Sequence, residues 1–119
     1  MLKRFDDNAT DATRAVQIWL ILIAQAHDRK TLTLPELARL LHIADPRQLV
    51  YMLGHIMFLC RENQLPPLVV LVVNEKTGAP TLGMTVTELN ADREAVFNHD
   101  WYAVWPPTAE DLRQAYGRG

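Results

Sequence analysis

The chain has 119 residues, of which 49% are hydrophobic and 22% are charged, and its formal net charge is −2 at pH 7. These values are typical of one globular domain, and the slightly acidic balance argues against a strong nonspecific DNA binder. The longest apolar run covers residues 18–24, far short of the roughly 20 residues that span a membrane. We therefore expect a cytoplasmic protein without a membrane partner.

The N-terminal part of the chain predicts one long helix. Residues 1–9 are polar and are expected to form a flexible terminus, which leaves residues 10–119 as a single domain. A helix is predicted from Asp11 to Asp28. Its apolar residues recur at helical spacing on one face: Ala15, Ile18, Trp19, Leu22 and Ile23.

A second, short helix is predicted after residue 33. Thr33 and Glu36 fit a capping box, in which each side chain bonds the backbone N–H of the other residue. Proline near the first helical position costs no backbone hydrogen bond. The apolar residues that follow pack inward, and the helix is predicted to end near His42.

A third helix is predicted to start at Asp45-Pro46, where a capping residue is again followed by proline. It extends to Arg61 or Glu62. Gly54 lies in its middle, at a cost of about 1 kcal/mol relative to alanine. A glycine at this cost indicates that a neighbouring group approaches the helix closely.

Six consecutive apolar residues, Leu68 to Val73, directly follow Pro66-Pro67. Such a short apolar run predicts a buried strand, with the prolines as its rigid entry. The polar residues 74–78 predict a turn, and a second strand is expected within residues 81–87.

Helical segments are predicted again in the C-terminal part. A helix is expected over residues 90–99, and residues 100–104 are expected to form a short strand or an extended segment. Thr108 with Asp111 fits a cap for a last helix that ends at Tyr116.

The order of these elements predicts an α+β fold of the winged helix-turn-helix class. It comprises three helices, a small antiparallel β-sheet and extra C-terminal helices. Residues 31–33 are expected to supply a small third strand of that sheet. Winged-helix proteins often pair, so the fold class is compatible with a homodimer.

Several segments resemble, in the same order, the C-terminal DNA-binding domain of the alkylguanine-DNA alkyltransferases and the alkyltransferase-like proteins. "IW" in the first helix is similar to that family's Val-Trp, and "TLTLPELARLLHI" to its "xELAxxxG" helix. "LVYMLGHIM" resembles its recognition helix, and "NQLPPLVVLV" lies where the family has "NPxxxxxPCHRVV". "TGAPTLGM" is similar to the following glycine-containing loop, and "ADREAVFNHDW" to the closing helix. The resemblance implies a DNA-binding domain.

The family's reactive residues are replaced in this chain. Its nucleophilic cysteine and neighbouring histidine correspond to Pro67 and Leu68, and the following arginine corresponds to Val69. Neither Pro67 nor Leu68 carries a nucleophile or a base. The arginine that the family inserts into the duplex to flip a base corresponds to Tyr51, and its phosphate-contacting tyrosine corresponds to Leu34. We therefore expect a protein that is not an enzyme.

Double-stranded DNA is the leading partner predicted. Arg47, Gln48 and Tyr51 occupy the start of the predicted recognition helix, where arginine and glutamine read base edges and tyrosine wedges into the base stack. Arg39 and Lys76 are expected to contact phosphates. The resemblance points to a non-enzymatic regulatory or lesion-sensing protein, in a bacterial or phage context.

The alternative prediction is a protein–protein adaptor or inhibitor, such as an accessory protein of a phage or a defence system. Trp101, Tyr102 and Trp105 would form its partner-binding face in the acidic C-terminal third. The same aromatic residues would otherwise seal the junction between helices and sheet. Net charge favours the adaptor, whereas the resemblance favours DNA.

Other candidate chemistry is weak. Cys60, the only cysteine, falls on the apolar face of the third helix, where a thiol is usually inert packing, and a single cysteine excludes a disulfide within the chain. The four histidines show no metal-ligand spacing. No cofactor and no metal are expected.

Overall fold

The computed structural model describes Leu2 and residues 9–81 and 89–119. Nearly all of the predicted flexible terminus at residues 1–9 lies outside these residues. The same holds for the second strand predicted within residues 81–87 and for part of the glycine-containing segment "TGAPTLGM".

The first helix, α1, extends over Asp11–His27 and confirms the predicted element within one residue. Thr10 caps it: the Thr10 hydroxyl accepts a hydrogen bond from the Thr13 backbone N–H at 3.2 Å, and Thr13 Oγ1 accepts from the Thr10 N–H at 2.8 Å. The apolar residues that predicted the helix are all buried. The amphipathic pattern therefore identified both the helix and its inward face.

The short helix α2 covers Leu34–Leu41, and its predicted capping box is confirmed. Thr33 Oγ1 accepts from the Glu36 N–H at 3.2 Å, and Glu36 Oε1 accepts from the Thr33 N–H at 3.2 Å. His42 ends the helix in the left-handed conformation, with φ of 57°. This conformation turns the chain sharply toward the next helix.

The third helix begins later than predicted. Pro46–Gln48 form a 3-10 turn, and the α-helix itself, α3, covers Leu49–Glu62. The Asp45 carboxylate accepts a hydrogen bond from the Arg47 N–H at 3.0 Å, two residues away. This short-range bond fits the tighter 3-10 geometry at the entry of the helix.

The predicted strand Leu68 to Val73 is largely wrong. Leu68–Leu71 form a 3-10 turn, closed by a hydrogen bond from the Val70 N–H to the Pro67 carbonyl at 3.0 Å. Only Val72–Val73 form a strand, β2. All six residues are buried, and a continuously buried run has no periodicity that distinguishes a strand from a helical turn.

The predicted antiparallel wing is also wrong for the residues that the structure describes. Strand β1, Leu32–Thr33, pairs with β2 in parallel, with Leu32 opposite Val72 and Thr33 opposite Val73. The chain does reverse after β2, where the Asn74 N–H donates to the Ala79 carbonyl at 2.8 Å. In the described part of the chain, this reversal produces only an isolated antiparallel bridge between residues 73 and 80.

Two helices complete the fold: α4 over Leu89–Asn98 and α5 over Ala109–Arg118. The predicted cap of α5 is confirmed, because Thr108 Oγ1 accepts from the Asp111 N–H at 3.1 Å and Asp111 accepts from the Thr108 N–H at 2.9 Å. The extended segment predicted for residues 100–104 is wrong, since Trp101–Ala103 form a 3-10 turn.

Helix α3 lies at the centre of the core, packed against α1 and α5. Trp19 of α1 meets Trp101 edge to face, with ring centroids 5.6 Å apart. Gly54 of α3 lies under Tyr116 of α5, and a Cβ at this glycine would be 3.0 Å from Tyr116 Cε2. The close approach predicted from the sequence is therefore confirmed. The described chain is a mostly helical domain with a two-stranded sheet.

Two carboxylates that hydrogen-bond at the ends of α5, Asp111 and Glu62, should make the stability of the fold sensitive to acid. Hydrogen bonds from the Thr108 backbone N–H and hydroxyl hold the pKa of Asp111 below its usual value of 3.8, and the hydrogen bond from Arg118 holds that of Glu62 below 4.5. A carboxyl with a depressed pKa stabilises the fold above its unfolded pKa, and this contribution is lost as the pH falls through the folded value. We therefore expect the melting temperature to decrease once the pH drops below about 4.

Thermal melts followed by circular dichroism at pH 7 and pH 3 measure this effect. The variant Asp111→Asn keeps an oxygen that accepts from Thr108, but it has no charge to lose. Its melting temperature should depend less on pH than that of the wild type. Equal acid sensitivity of the two proteins would contradict the assignment.

Candidate nucleic-acid interface

Arg47, Gln48 and Tyr51 lie together on an exposed surface at the start of α3. Arg47 and Gln48 belong to the 3-10 turn, and Tyr51 follows one helical turn later with 58% of its surface exposed. Residues three and four apart are neighbours on a helical surface. The turn from α2 into α3 thus presents these three side chains on one side, and we call them the α3 entry surface.

Arg47 carries an ion pair that the sequence reading missed. Its Nη2 lies 3.0 Å from Oδ2 of Asp45, and its Nε lies 3.1 Å from Oδ1. The hydrogen bonds from Arg47 hold the pKa of Asp45 below its usual value, and the carboxylate raises the pKa of Arg47. The Arg47 side chain remains 90% exposed. It is therefore accessible, but its charge is balanced locally.

The spacing Asp-Pro-Arg contained the signal for this pair. Asp45 was interpreted only as a helix cap, and it does accept the Arg47 backbone N–H. In a 3-10 turn, the same carboxylate also reaches the guanidinium two residues later. The prediction had an α-helix starting at Pro46, and that geometry gave no reason to expect a bond between the Asp45 carboxylate and the Arg47 guanidinium.

A polar groove adjoins the α3 entry surface. Its polar lining comes from the start of α1, from the end of α2 and from the α3 entry surface: Thr10, Asp11, Arg14, His42, Gln48 and Tyr51. Its volume is about 540 Å³. The groove extends the polar surface beside the α3 entry surface.

A second groove, of about 360 Å³, lies beside α2, and its charged lining residues are Lys30, Arg39 and Glu36. Among residues 9–81 and 89–119, neither Lys30 nor Arg39 forms an ion pair, and neither does Lys76. Lys76 lies in the turn after β2, not in an antiparallel wing. The sequence reading included Arg39 and Lys76 but assigned Lys30 only to the end of α1.

Other arginines of the domain are neutralised elsewhere. Arg29 pairs with Glu94 of α4 at 2.8 Å, and Arg118 pairs with Glu62. Arg113 pairs with Glu110 within α5. The arginines of α5 are thus matched by carboxylates, whereas within residues 9–81 and 89–119 no carboxylate pairs with Lys30, Arg39, Lys76 or Arg61.

Pro67, Leu68 and Val69, which the sequence resemblance matched to reactive positions, lie in or next to the core. Leu68 and Val69 are 0% and 1% exposed, and Pro67 is partly buried. Cys60 is buried as well, and desolvation raises the pKa of its thiol to about 11. A thiol with this pKa stays protonated at neutral pH and is a poor nucleophile.

The three aromatic residues of the alternative partner-binding face differ in how far they are exposed to solvent. Trp101 is 3% exposed, and its indole N–H donates to the Val96 carbonyl at 2.8 Å. Tyr102 and Trp105 are 61% and 91% exposed. Trp101 thus belongs to the core, as the sealing interpretation expected, and an exposed aromatic face retains only the other two.

The described residues contain neither a metal-binding cluster nor a helix that could span a membrane. No group of three or more histidine, cysteine or carboxylate side chains in these residues is arranged to hold a metal ion. None of the helices in the same part of the chain has both the length and the hydrophobicity needed to cross a bilayer. Comparisons with protein-family models, with curated proteins and with solved structures give no match.

Proposed function

We propose that this domain binds double-stranded DNA through the α3 entry surface and does so without catalysis. Arg47 and Gln48 contact base edges in the major groove, and Tyr51 contacts the base stack. Lys30, Arg39 and Lys76 contact phosphates. A regulatory or lesion-sensing role is the finer form of this proposal, and it comes from the resemblance to alkyltransferases.

One observation carries the proposal: Arg47, Gln48 and Tyr51 are all exposed where a short capped helix turns into α3. In helix-turn-helix proteins, the N-terminal residues of the second helix contact base edges, while the first helix crosses the backbone. Arginine and glutamine have the donors and acceptors that this contact requires. The residues of α3 at positions 49, 52–56, 59 and 60 are buried and anchor the surface.

Basic side chains without carboxylate partners support DNA binding in general. In the described part of the chain Lys30, Arg39, Lys76 and Arg61 lack such partners, whereas Arg113 and Arg118 on α5 are paired. Basic groups without partners can replace counterions on phosphates, which supplies most of the nonspecific affinity for DNA. The small number of such groups predicts moderate affinity and a shallow salt dependence.

The test is fluorescence anisotropy with a labelled duplex at two salt concentrations, with and without one alkylated guanine. We expect a Kd within roughly 10⁻⁶–10⁻⁴ M at physiological salt and a lower Kd at low salt. Arg47→Ala should weaken binding by about tenfold, the value of one lost contact to a base. Preference for the alkylated duplex would support the lesion-sensing form.

Two further variants make the test specific. Asp45→Asn keeps the oxygen that accepts the Arg47 N–H but removes the competing charge, so binding should become tighter and more dependent on salt. Arg113→Ala is the matched control, because it removes an ion-paired arginine from α5. No binding at low salt, or equal losses for Arg47→Ala and Arg113→Ala, would refute the proposal.

A protein–protein adaptor is the second candidate. The observation in its favour is Trp105, whose surface is 91% exposed. Exposed tryptophan is costly in water and is enriched in the energetic centres of protein interfaces. In this case Arg47→Ala would leave partner binding unchanged, and Trp105→Ala would abolish it.

A further inference from the structure

The groove beside α2, which we call the α2 groove, is built from three consecutive elements of the chain. The C-terminal end of α1, strand β1 and the first turns of α2 all contribute lining residues. Its volume is about 360 Å³, in the lower part of the range of about 300–1,000 Å³ that is typical of small-molecule sites. This size suits a ligand no larger than a single nucleotide.

Hydrogen bonds fix the backbone on both sides of the α2 groove. At the end of α1, Arg29 adopts a left-handed φ of 55°. Its N–H donates to the Ala26 carbonyl at 3.0 Å, and the Lys30 N–H donates to the Gln25 carbonyl at 2.9 Å. These two bonds form a Schellman motif, which closes a helix end. Lys30 and Gln25 therefore lie on a fixed turn, and the capping box described above fixes the first turn of α2 opposite them.

The charged lining of the α2 groove has an excess of positive charge. Lys30 and Arg39 form no ion pair within residues 9–81 and 89–119. The one carboxylate of the lining, Glu36, is engaged in the cap of α2, where its Oε1 accepts from the Thr33 N–H at 3.2 Å and from the Thr33 hydroxyl at 2.9 Å. Two cations beside one engaged carboxylate favour a ligand that carries negative charge.

The α2 groove also has an apolar side. Leu40 lines it with 59% of its surface exposed, and the buried Leu32 of β1 lines it as well. Covering an exposed leucine with an apolar group removes its surface from water, which is favourable. Gln25 and Thr31 add an amide and a hydroxyl to the same lining. The matching ligand therefore combines an anionic group, hydrogen-bonding groups and an apolar part.

We propose that the α2 groove binds a nucleoside phosphate. The phosphate lies on Lys30 and Arg39, because guanidinium and ammonium groups donate to phosphate oxygens. The nucleoside lies against Leu40 and bonds to Gln25 and Thr31. This chemistry is present in a free nucleotide, as a phosphate monoester, and in a nucleic-acid strand, as a diester.

Nucleotide binding goes beyond the proposed DNA binding, although Lys30 and Arg39 serve both. It is measured without DNA, whereas Arg47 tests DNA binding alone because it does not line the α2 groove. Failure of one proposal is therefore distinguishable from failure of the other.

NMR titration of the ¹⁵N-labelled protein with adenosine monophosphate tests the proposal. We expect amide shifts at residues 25, 30–32, 39 and 40, with a Kd of about 0.1–1 mM. Adenosine and inorganic phosphate each supply only part of the ligand, so each should bind about tenfold more weakly. Lys30→Gln and Arg39→Gln should also weaken nucleotide binding about tenfold, the cost of one lost bond to a charged group. The spectra themselves report whether each variant is folded.

A dinucleotide with a single phosphodiester distinguishes the two sources of the phosphate. The monoester carries more negative charge near neutral pH, so we expect adenosine monophosphate to bind more tightly, which supports a free nucleotide as the ligand. Tighter binding of the dinucleotide would still support a nucleoside phosphate in the groove and would assign it to a nucleic-acid strand.

Lys76→Gln is the matched control, because Lys76 is a lysine without an ion pair in the described part of the chain and does not line the α2 groove. This variant should bind adenosine monophosphate like the wild type. An absence of shifts in the groove at about 10 mM nucleotide would overturn the proposal. So would inorganic phosphate that binds as tightly as the nucleotide, or equal losses for Lys76→Gln and Lys30→Gln.

Discussion

Replacing Trp19 with alanine should lower the free energy of unfolding by about 3–5 kcal/mol, the cost of truncating a buried tryptophan. Trp19 is 1% exposed and packs edge to face with Trp101 at a centroid distance of 5.6 Å. The variant loses the apolar burial and the aromatic pair, and it leaves a cavity between α1 and the 3-10 turn at residues 101–103. Urea denaturation followed by circular dichroism measures the difference.

Trp105→Ala is the internal control for this prediction. The same residue type is removed, but Trp105 is 91% exposed, and surface substitutions usually change stability by less than about 0.5 kcal/mol. Denaturation of both variants is measured at the same protein concentration. Similar losses for Trp19→Ala and Trp105→Ala would contradict the burial assigned to these two residues.

The second large effect is expected at Gly54. A Cβ at this position lies 3.0 Å from Tyr116 Cε2 and 3.6 Å from Cδ2. The Tyr116 ring stacks on the buried His55 at a centroid distance of 4.2 Å, with 4° between the planes, so it cannot move toward that side. Gly54→Val should therefore destabilise the fold by about 1–3 kcal/mol through overpacking, despite a better helix propensity.

A double-mutant cycle identifies the cause. Tyr116→Ala removes the ring that a valine at position 54 would meet, and Tyr116 is 37% exposed, so the single variant should still fold. In that background, most of the cost of Gly54→Val should disappear. A cost that is unchanged by Tyr116→Ala would place the strain elsewhere and would contradict the close contact between α3 and α5.

Local sequence signals predicted the helices because each signal acts within a few residues. Thr33 with Glu36 and Thr108 with Asp111 form the expected capping boxes. Gly54 indicated a tertiary contact, although nothing in the sequence identified Tyr116 as the neighbour. His42 adopts the left-handed φ of 57° that favours glycine, and no local signal predicted that conformation.

The errors occurred where burial or tertiary pairing decides the backbone. Leu68–Leu71 are all buried, so the apolar run had no periodicity that distinguishes a strand from a helical turn. The hydrogen bond from the Val70 N–H to the Pro67 carbonyl closes a 3-10 turn there. The direction of the β1–β2 pairing depends on how distant segments meet. The Asp45–Arg47 pair was missed because it requires that same kind of tight turn at the entry of α3.

NMR titration of the ¹⁵N-labelled protein with a short duplex at low salt tests the central claim most directly, because it locates the contact surface. DNA binding through the α3 entry surface predicts the largest amide shifts over residues 47–52, with smaller ones near Arg39 and Lys76. Residues 102–108 should stay unchanged. An absence of shifts at saturating duplex, or shifts confined to residues 102–108, would contradict the proposed function.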